Sequence, residues 1–107
     1  MLIEPTQEDW TDEEGTPAGG VAFGPGYAIS WQNGPLGRGN DRRDPNGAFV
    51  ESIIKAAANR IAHYQASRFA CDENRQALLH LESALSCLEA RTQRREAQNV
   101  EGTHQGS

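Results

Sequence analysis

Basic residues are missing from the first twenty positions, and lysine is nearly missing from the chain: Lys55 is the sole Lys among ten Lys and Arg residues. Residues 1–20 hold six acids (Glu4, Glu8, Asp9, Asp12, Glu13, Glu14), which leaves nine acids against ten basic residues in 21–107. The net charge of −5 therefore belongs to the N-terminal leader, over a body close to neutral. That distribution argues against duplex nucleic acid as a partner, since affinity for DNA rests on neutralising its phosphates. Cysteine is scarce as well, with Cys71 and Cys87 too few for a disulfide framework. The opening "MLIEPTQEDW" lacks the basic and apolar start of a secretory signal. No apolar run approaches the length of a membrane span, so no membrane is expected as partner. These absences point to a cytosolic chain with two reduced thiols. Cys87, beside Leu85 and Leu88, reads as a small packed apolar residue.

The usual signatures of chemistry are absent too. His63, His80 and His104 match no zinc spacing with the cysteines, and His63 and His104 lie far apart in the expected fold. "GPGYAIS" lacks the lysine of a phosphate-binding loop, and "GRGNDR" does not run from a strand straight into a helix. No Ser–His–Asp or Cys–His arrangement is suggested by position, and paired carboxylates occur only in the leader. No catalytic residue, metal or cofactor is expected.

What is present is a long helical stretch. Phe49, Val50, Ile53, Ile54, Ala57, Ile61 and Tyr64 recur at helical spacing and predict one apolar face on a helix over 46–65. Leu78, Leu81, Leu85 and Leu88 step by three, four and three, a narrow seam on a second helix over 72–97. Asp72 and Glu73 suit the positive N-terminus of that helix, and Arg91, Arg94 and Arg95 suit its negative C-terminus. Asp44 before Pro45 fits an N-cap and first helical position, with Asn46 as the competing cap. Asn99 fits a left-handed residue after the helix end, and 105–107 read as a tail.

In front of the helices, residues 1–20 read as a flexible acidic leader, dispensable for folding. From Val21 the texture changes. Val21 and Phe23 precede the turn "GPG", after which Tyr27, Ile29 and Trp31 alternate with small residues as a strand does. A β segment is expected over 21–36 and a charged, Gly-rich loop over 37–45. The class is α+β, mainly α: a short β segment, then a long antiparallel two-helix hairpin, in a single domain over 21–104. Such a hairpin buries too little apolar surface to stand alone, and Leu79 with Ala56, Ala57 and Ala58 leaves apolar surface on more than one side. Assembly as an oligomer is the expectation.

Nine of the ten basic residues are Arg, whose planar fork suits phosphate; GC-rich codon usage yields the same bias. Arg91 and Arg95, four apart on one helix face, repel mildly and become favourable with an anion between them. Trp31 and Tyr64 offer flat faces for a base, although each also fits a core position. From spacing alone the chain is a small α-rich oligomer with an Arg-lined end.

The segments "ISWQNGPLGR", "NGAFVESII", "FACDEN", "HLESAL" and "ARTQRREAQNVEGTH", in this order and at these distances, resemble the Thoeris anti-defence type of phage sponge. That family shares a helical hairpin with the anti-CBASS cyclic-oligonucleotide sponges. The resemblance covers residues 29–104, about seven tenths of the chain. It implies a non-enzymatic protein that binds cyclic ADP-ribose isomers, and in some members cyclic di- or trinucleotides, in pockets between protomers. Dimers or trimers of dimers acting in the cytoplasm of the infected host are the implied form. In the pattern "RTxxRxxRGVEGT", Arg91, Thr92, Arg95, Val100, Glu101, Gly102 and Thr103 match, while Gln98 replaces an Arg and Asn99 a Gly. Cys87 stands near where members carry an aromatic. The implied ligand residues are Arg91, Arg95, Thr92, Asn74, Tyr64, Trp31 and Arg38, the last closing "ISWQNGPLGR". The arginines would hold phosphate, Tyr64 or Trp31 would stack a base, and Asn74 would read its edge. The alternative is a phage structural or adaptor protein that binds another protein through the hairpin.

Overall fold

The computed structural model describes residues 2–37 and 39–98. The described residues divide into two compact units, one up to Phe49 and one from Val50 onward. The first is a three-stranded antiparallel sheet of β1 (Thr6–Thr11), β2 (Pro17–Gly24) and β3 (Tyr27–Trp31), in that spatial order. The second is a helical hairpin of α1 (Val50–Gln65) and α2 (Asp72–Ala97). The α+β class, the β segment before the hairpin and the bounds of α2 agree with the sequence reading.

The leader departs from it. Residues expected to be flexible supply β1 and the first half of β2, because the acidic run "DEEG" is a turn. The Asp12 carboxylate accepts from the Glu14 amide at 2.9 Å and the Thr16 amide at 3.0 Å. The Gly15 amide donates to the Asp12 carbonyl at 3.0 Å, and Gly15 takes φ 79°, a left-handed value that costs glycine little. Every residue of β1 is exposed, so its acids stay hydrated while the backbone makes its ladder to β2. Gly20 permits the approach: a Cβ there would stand 2.5 Å from the Glu8 carbonyl oxygen. Residues 6–11 and 17–20 are thus strand residues of the sheet.

Pro25–Gly26, with Gly26 at φ 87°, turns β2 into β3 as a Pro-Gly pair does in a type II turn. After β3 the chain returns along it. The Ala48 amide donates to the Ser30 carbonyl at 2.7 Å and the Gln32 amide to the Ala48 carbonyl at 2.9 Å, around a parallel bridge between Trp31 and Ala48. Asn46 extends this pairing through its side chain. Its Oδ1 accepts from the Asn33 amide at 2.8 Å, its Nδ2 donates to the Asn33 carbonyl at 2.9 Å, and its own amide donates to Gln32 Oε1 at 2.9 Å. This explains why α1 begins at Val50 rather than at 46: the amide expected to cap the helix is engaged by the end of β3. The loop over 37–45 contains only a short 3-10 turn, Gly39–Asp41.

Within the hairpin, Ile54, Ala58 and Ile61 carry the packed side of α1, with Ala58 buried at 5% exposure. Val50, Ala57 and Tyr64, expected on the same face, are exposed, so the apolar stripe of α1 is wider than the strip α2 covers. On α2 the half-buried positions Asn74, Leu78, Leu81, Leu85, Leu88, Thr92 and Arg95 alternate steps of four and three, which extends the expected leucine seam at both ends. Cys87 is exposed, contrary to its expected packing, because two residues past Leu85 lies about 200° round the helix. The turn between the helices is tied by a side-chain amide. Gln65 Nε2 donates to the Cys71 carbonyl at 3.1 Å, and the Cys71 amide donates to Gln65 Oε1 at 2.9 Å. Cys71 then caps α2, its Sγ accepting from the Asn74 amide at 3.4 Å. Among the described residues no helix is long and apolar enough to cross a membrane.

Gly47 has no room for a side chain: a Cβ would lie 2.6 Å from both the carbonyl carbon and oxygen of Trp31. Gly47→Ala is therefore expected to cost about 1–3 kcal/mol, as overpacking against backbone does, in a chemical-denaturation measurement of the intact protein.

Candidate functional site

The antiparallel hairpin has two polar ends, and the expected ligand residues are divided between them. At the open end, Arg91 on α2 faces the first turn of α1, where its Nη2 lies 3.7 Å from Glu51 Oε1. Since α2 is 26 residues long and α1 is 16, Thr92 and Arg95 stand on the part of α2 that continues beyond Glu51. Arg95 is half-buried on the line of the seam, as is Thr92, while Arg91 is exposed on its flank. Among the described residues Arg95 has no ion-pair partner.

At the turn end, Tyr64 closes the last turn of α1. Arg60, one helical turn earlier, donates from Nε to the Tyr64 hydroxyl at 3.1 Å and holds its guanidinium 5.1 Å from the ring centroid. The His63 ring lies 6.2 Å from the Tyr64 ring, tilted by 51°. Tyr64 is thus an exposed ring with a cation on it, and stacking a base on it means sharing or displacing Arg60. Asn74 is half-buried in the turn. Its Nδ2 donates to the Phe69 carbonyl at 3.4 Å and its backbone amide to Cys71 Sγ, so part of its capacity already supports the turn. Arg68 adds a second cation over a ring, 4.8 Å from the centroid of Phe69.

Asn74 and Arg91 are seventeen positions apart on α2, which at 1.5 Å per residue separates them by about 25 Å. The structure brings Arg91 close to Thr92 and Arg95, and Tyr64 to the same end as Asn74, but it does not bring the two groups together within one chain. Trp31 is half-buried in the sheet, where its backbone receives the Ala48 bridge. Arg38 and the matching residues Val100, Glu101, Gly102 and Thr103 lie outside the described residues, as does Asn99. Two residues absent from the sequence reading emerge beside the expected ones. Arg60 was discoverable as the i, i+4 partner of Tyr64. Glu51 carried no signal beyond being an acid in a first helical turn.

The described fold is thus a three-stranded antiparallel sheet ahead of an antiparallel helical hairpin, with guanidinium groups at the open end and cation-capped rings at the turn. The chain belongs to the Acb2/Tad1 hairpin-domain family, whose model matches residues 28–93, more than half of the chain. It is similar to a protein described as Thoeris anti-defense 1 from Bacillus phage SBSphiJ7, with 38% identity over 77 residues covering 72% of this chain. The chain spans about half the length of that curated relative, 51%. The matched residues include β3 from Ala28 and both helices up to Gln93, and leave out β1 and β2.

If Asn74 supports the turn as its bonds indicate, Asn74→Ala should lower the unfolding free energy of the unliganded protein by about 1 kcal/mol. Arg95→Ala should leave it nearly unchanged, and urea denaturation of the two variants side by side tests the contrast.

Proposed function

We propose that this chain is a phage anti-defence sponge, binding and sequestering cyclic nucleotide immune second messengers without degrading them. The proposed ligands are cyclic ADP-ribose isomers or cyclic di- or trinucleotides, met in the cytoplasm of the infected bacterial host. The single observation that carries this reading is the guanidinium pair at the open end of a hairpin belonging to this family. Two forks four residues apart, Arg91 and Arg95, give a pyrophosphate or two phosphodiesters bidentate partners, and sequestration needs no general base.

The separation of the two hairpin ends supports an intermolecular site. A small cyclic nucleotide cannot reach from Arg91 to Tyr64 of one chain. A second copy laid antiparallel brings its turn end, with Tyr64 and Asn74, to the open end of the first. This is why we propose a homo-oligomer, a dimer or a trimer of dimers, as the active form. The thin packing agrees with it: Ala22 and Ala58 are the only buried apolar residues among those described, while Val50, Tyr64, Phe69 and Leu79 are exposed. Trp31 and Arg38 remain proposed contacts.

Incubation with a panel of messengers, followed by heat denaturation and chromatography, tests the reading as a whole. Recovery of intact messenger from the denatured protein is the expected result. Altered messenger would make the chain an enzyme, and no retention would favour the adaptor reading. Arg91→Ala or Arg95→Ala should each weaken binding about tenfold or more in calorimetric titration, as expected for a charge-assisted hydrogen bond of about 1.5–3 kcal/mol. Arg→Lys at either position should recover only part of the affinity, because the fork is lost.

The intermolecular site has its own test. Tyr64→Ala and Arg91→Ala each spoil every pocket of a homo-oligomer, but unfolding the two variants together and refolding them as a mixture rebuilds intact pockets in mixed assemblies. Restored binding in the mixture is expected; strictly additive loss would mean that both residues act within one chain.

A further inference from the structure

The open end of the hairpin carries a carboxylate that a bare phosphate site has no use for. Glu51 Oε1 lies 3.7 Å from Arg91 Nη2, close enough for an ion pair and too far for a hydrogen bond. The guanidinium therefore keeps its donors for another acceptor. With side-chain exposures of 42% for Arg91 and 34% for Glu51, the pair is too wet to add much to stability. Its placement matters more. A phosphate held by Arg91 would share that one positive charge with the Glu51 carboxylate, leaving a net negative charge that a further donor relieves. A sugar hydroxyl next to the phosphate supplies that donor: it donates to the carboxylate while the phosphate accepts from the guanidinium.

We propose that Glu51 is a specificity residue of the site, accepting a hydrogen bond from a ribose hydroxyl adjacent to the phosphate on Arg91 and so disfavouring anions that bring no hydroxyl. The inference rests on Arg91 holding phosphate, as proposed above. It gives the site a means of ignoring inorganic phosphate and pyrophosphate, which offer the arginines the same charge. A negative residue in a first helical turn also complements the helix dipole, and that role predicts an effect on stability alone.

The test titrates the full chain and the isosteric Glu51→Gln variant calorimetrically with inorganic pyrophosphate and with cyclic ADP-ribose and its linkage isomers. The expected result is a crossing. Pyrophosphate binds the variant more tightly, by about fivefold, as the like charge is removed, whereas the best-binding cyclic ADP-ribose isomer binds about fivefold more weakly as its hydroxyl loses a charged acceptor. Removing the acceptor with Glu51→Ala deepens the second loss. Both probes moving in one direction, or neither moving, would overturn the proposal and leave Glu51 as a helix-terminal charge. Arg91→Ala is run in parallel. If it changes neither probe, or if no isomer binds the parent, the phosphate reading itself fails and Glu51 falls with it.

Discussion

The hairpin rests on one row of side chains. Ile54, Ala58 and Ile61 of α1 meet the leucine seam of α2, and only Ala58 in that row is buried outright. A seam of this kind can be long without being thick, so it orders the two helices while leaving Val50, Tyr64, Phe69 and Leu79 exposed. Two properties of the protein follow from it. The hairpin leaves apolar surface exposed, and its antiparallel course sends the arginine end and the aromatic end to opposite poles. Tyr64 and Asn74 stand at one pole and Arg91 and Arg95 at the other; the proposed oligomer is the simplest way to unite these four.

The sheet depends on polar groups more than on a core. Ala22 is its only buried apolar residue among those described, with Gly19 and Gly20 beside it letting the strands approach. Where a further strand would have paired, side-chain amides stand in. Asn46 meets the backbone of Asn33 through both donor and acceptor, and Gln65 does the same for Cys71 in the other unit. An amide side chain carries the same donor and acceptor as a peptide group, so it can satisfy backbone where the chain changes direction. This gives a structural reason for "WQN" and "NGA" within the segments that carried the family resemblance. It also separates the residues that hold the fold from those, such as Arg91 and Arg95, whose described contacts do little for it.

The matched family region begins at residue 28, so β1 and β2 lie outside it. Their acids line an exposed edge strand, and charge on an edge opposes pairing with another sheet.

The helices were legible because period and charge agreed: the leucine steps, Asp72 and Glu73 at one end and Arg94 and Arg95 at the other marked α2 to the residue. The start of α1 was not, since a cap residue and a residue that clamps a neighbouring strand look alike in one dimension, and Asn46 is the second kind. β1 was missed for a related reason. An exposed strand has no alternation to read, and its acidic composition mimics disorder until the Asp12 turn is seen to close. Cys87 was misjudged because periodicity identifies an apolar face but not how much of it a partner covers. The sequence by itself determined the class, the hairpin and the family, because these depend on local period and on short ordered segments. Only the tertiary structure decided that the proposed ligand residues divide between two poles and that Glu51 faces Arg91, because chain reversal sets which distant positions meet.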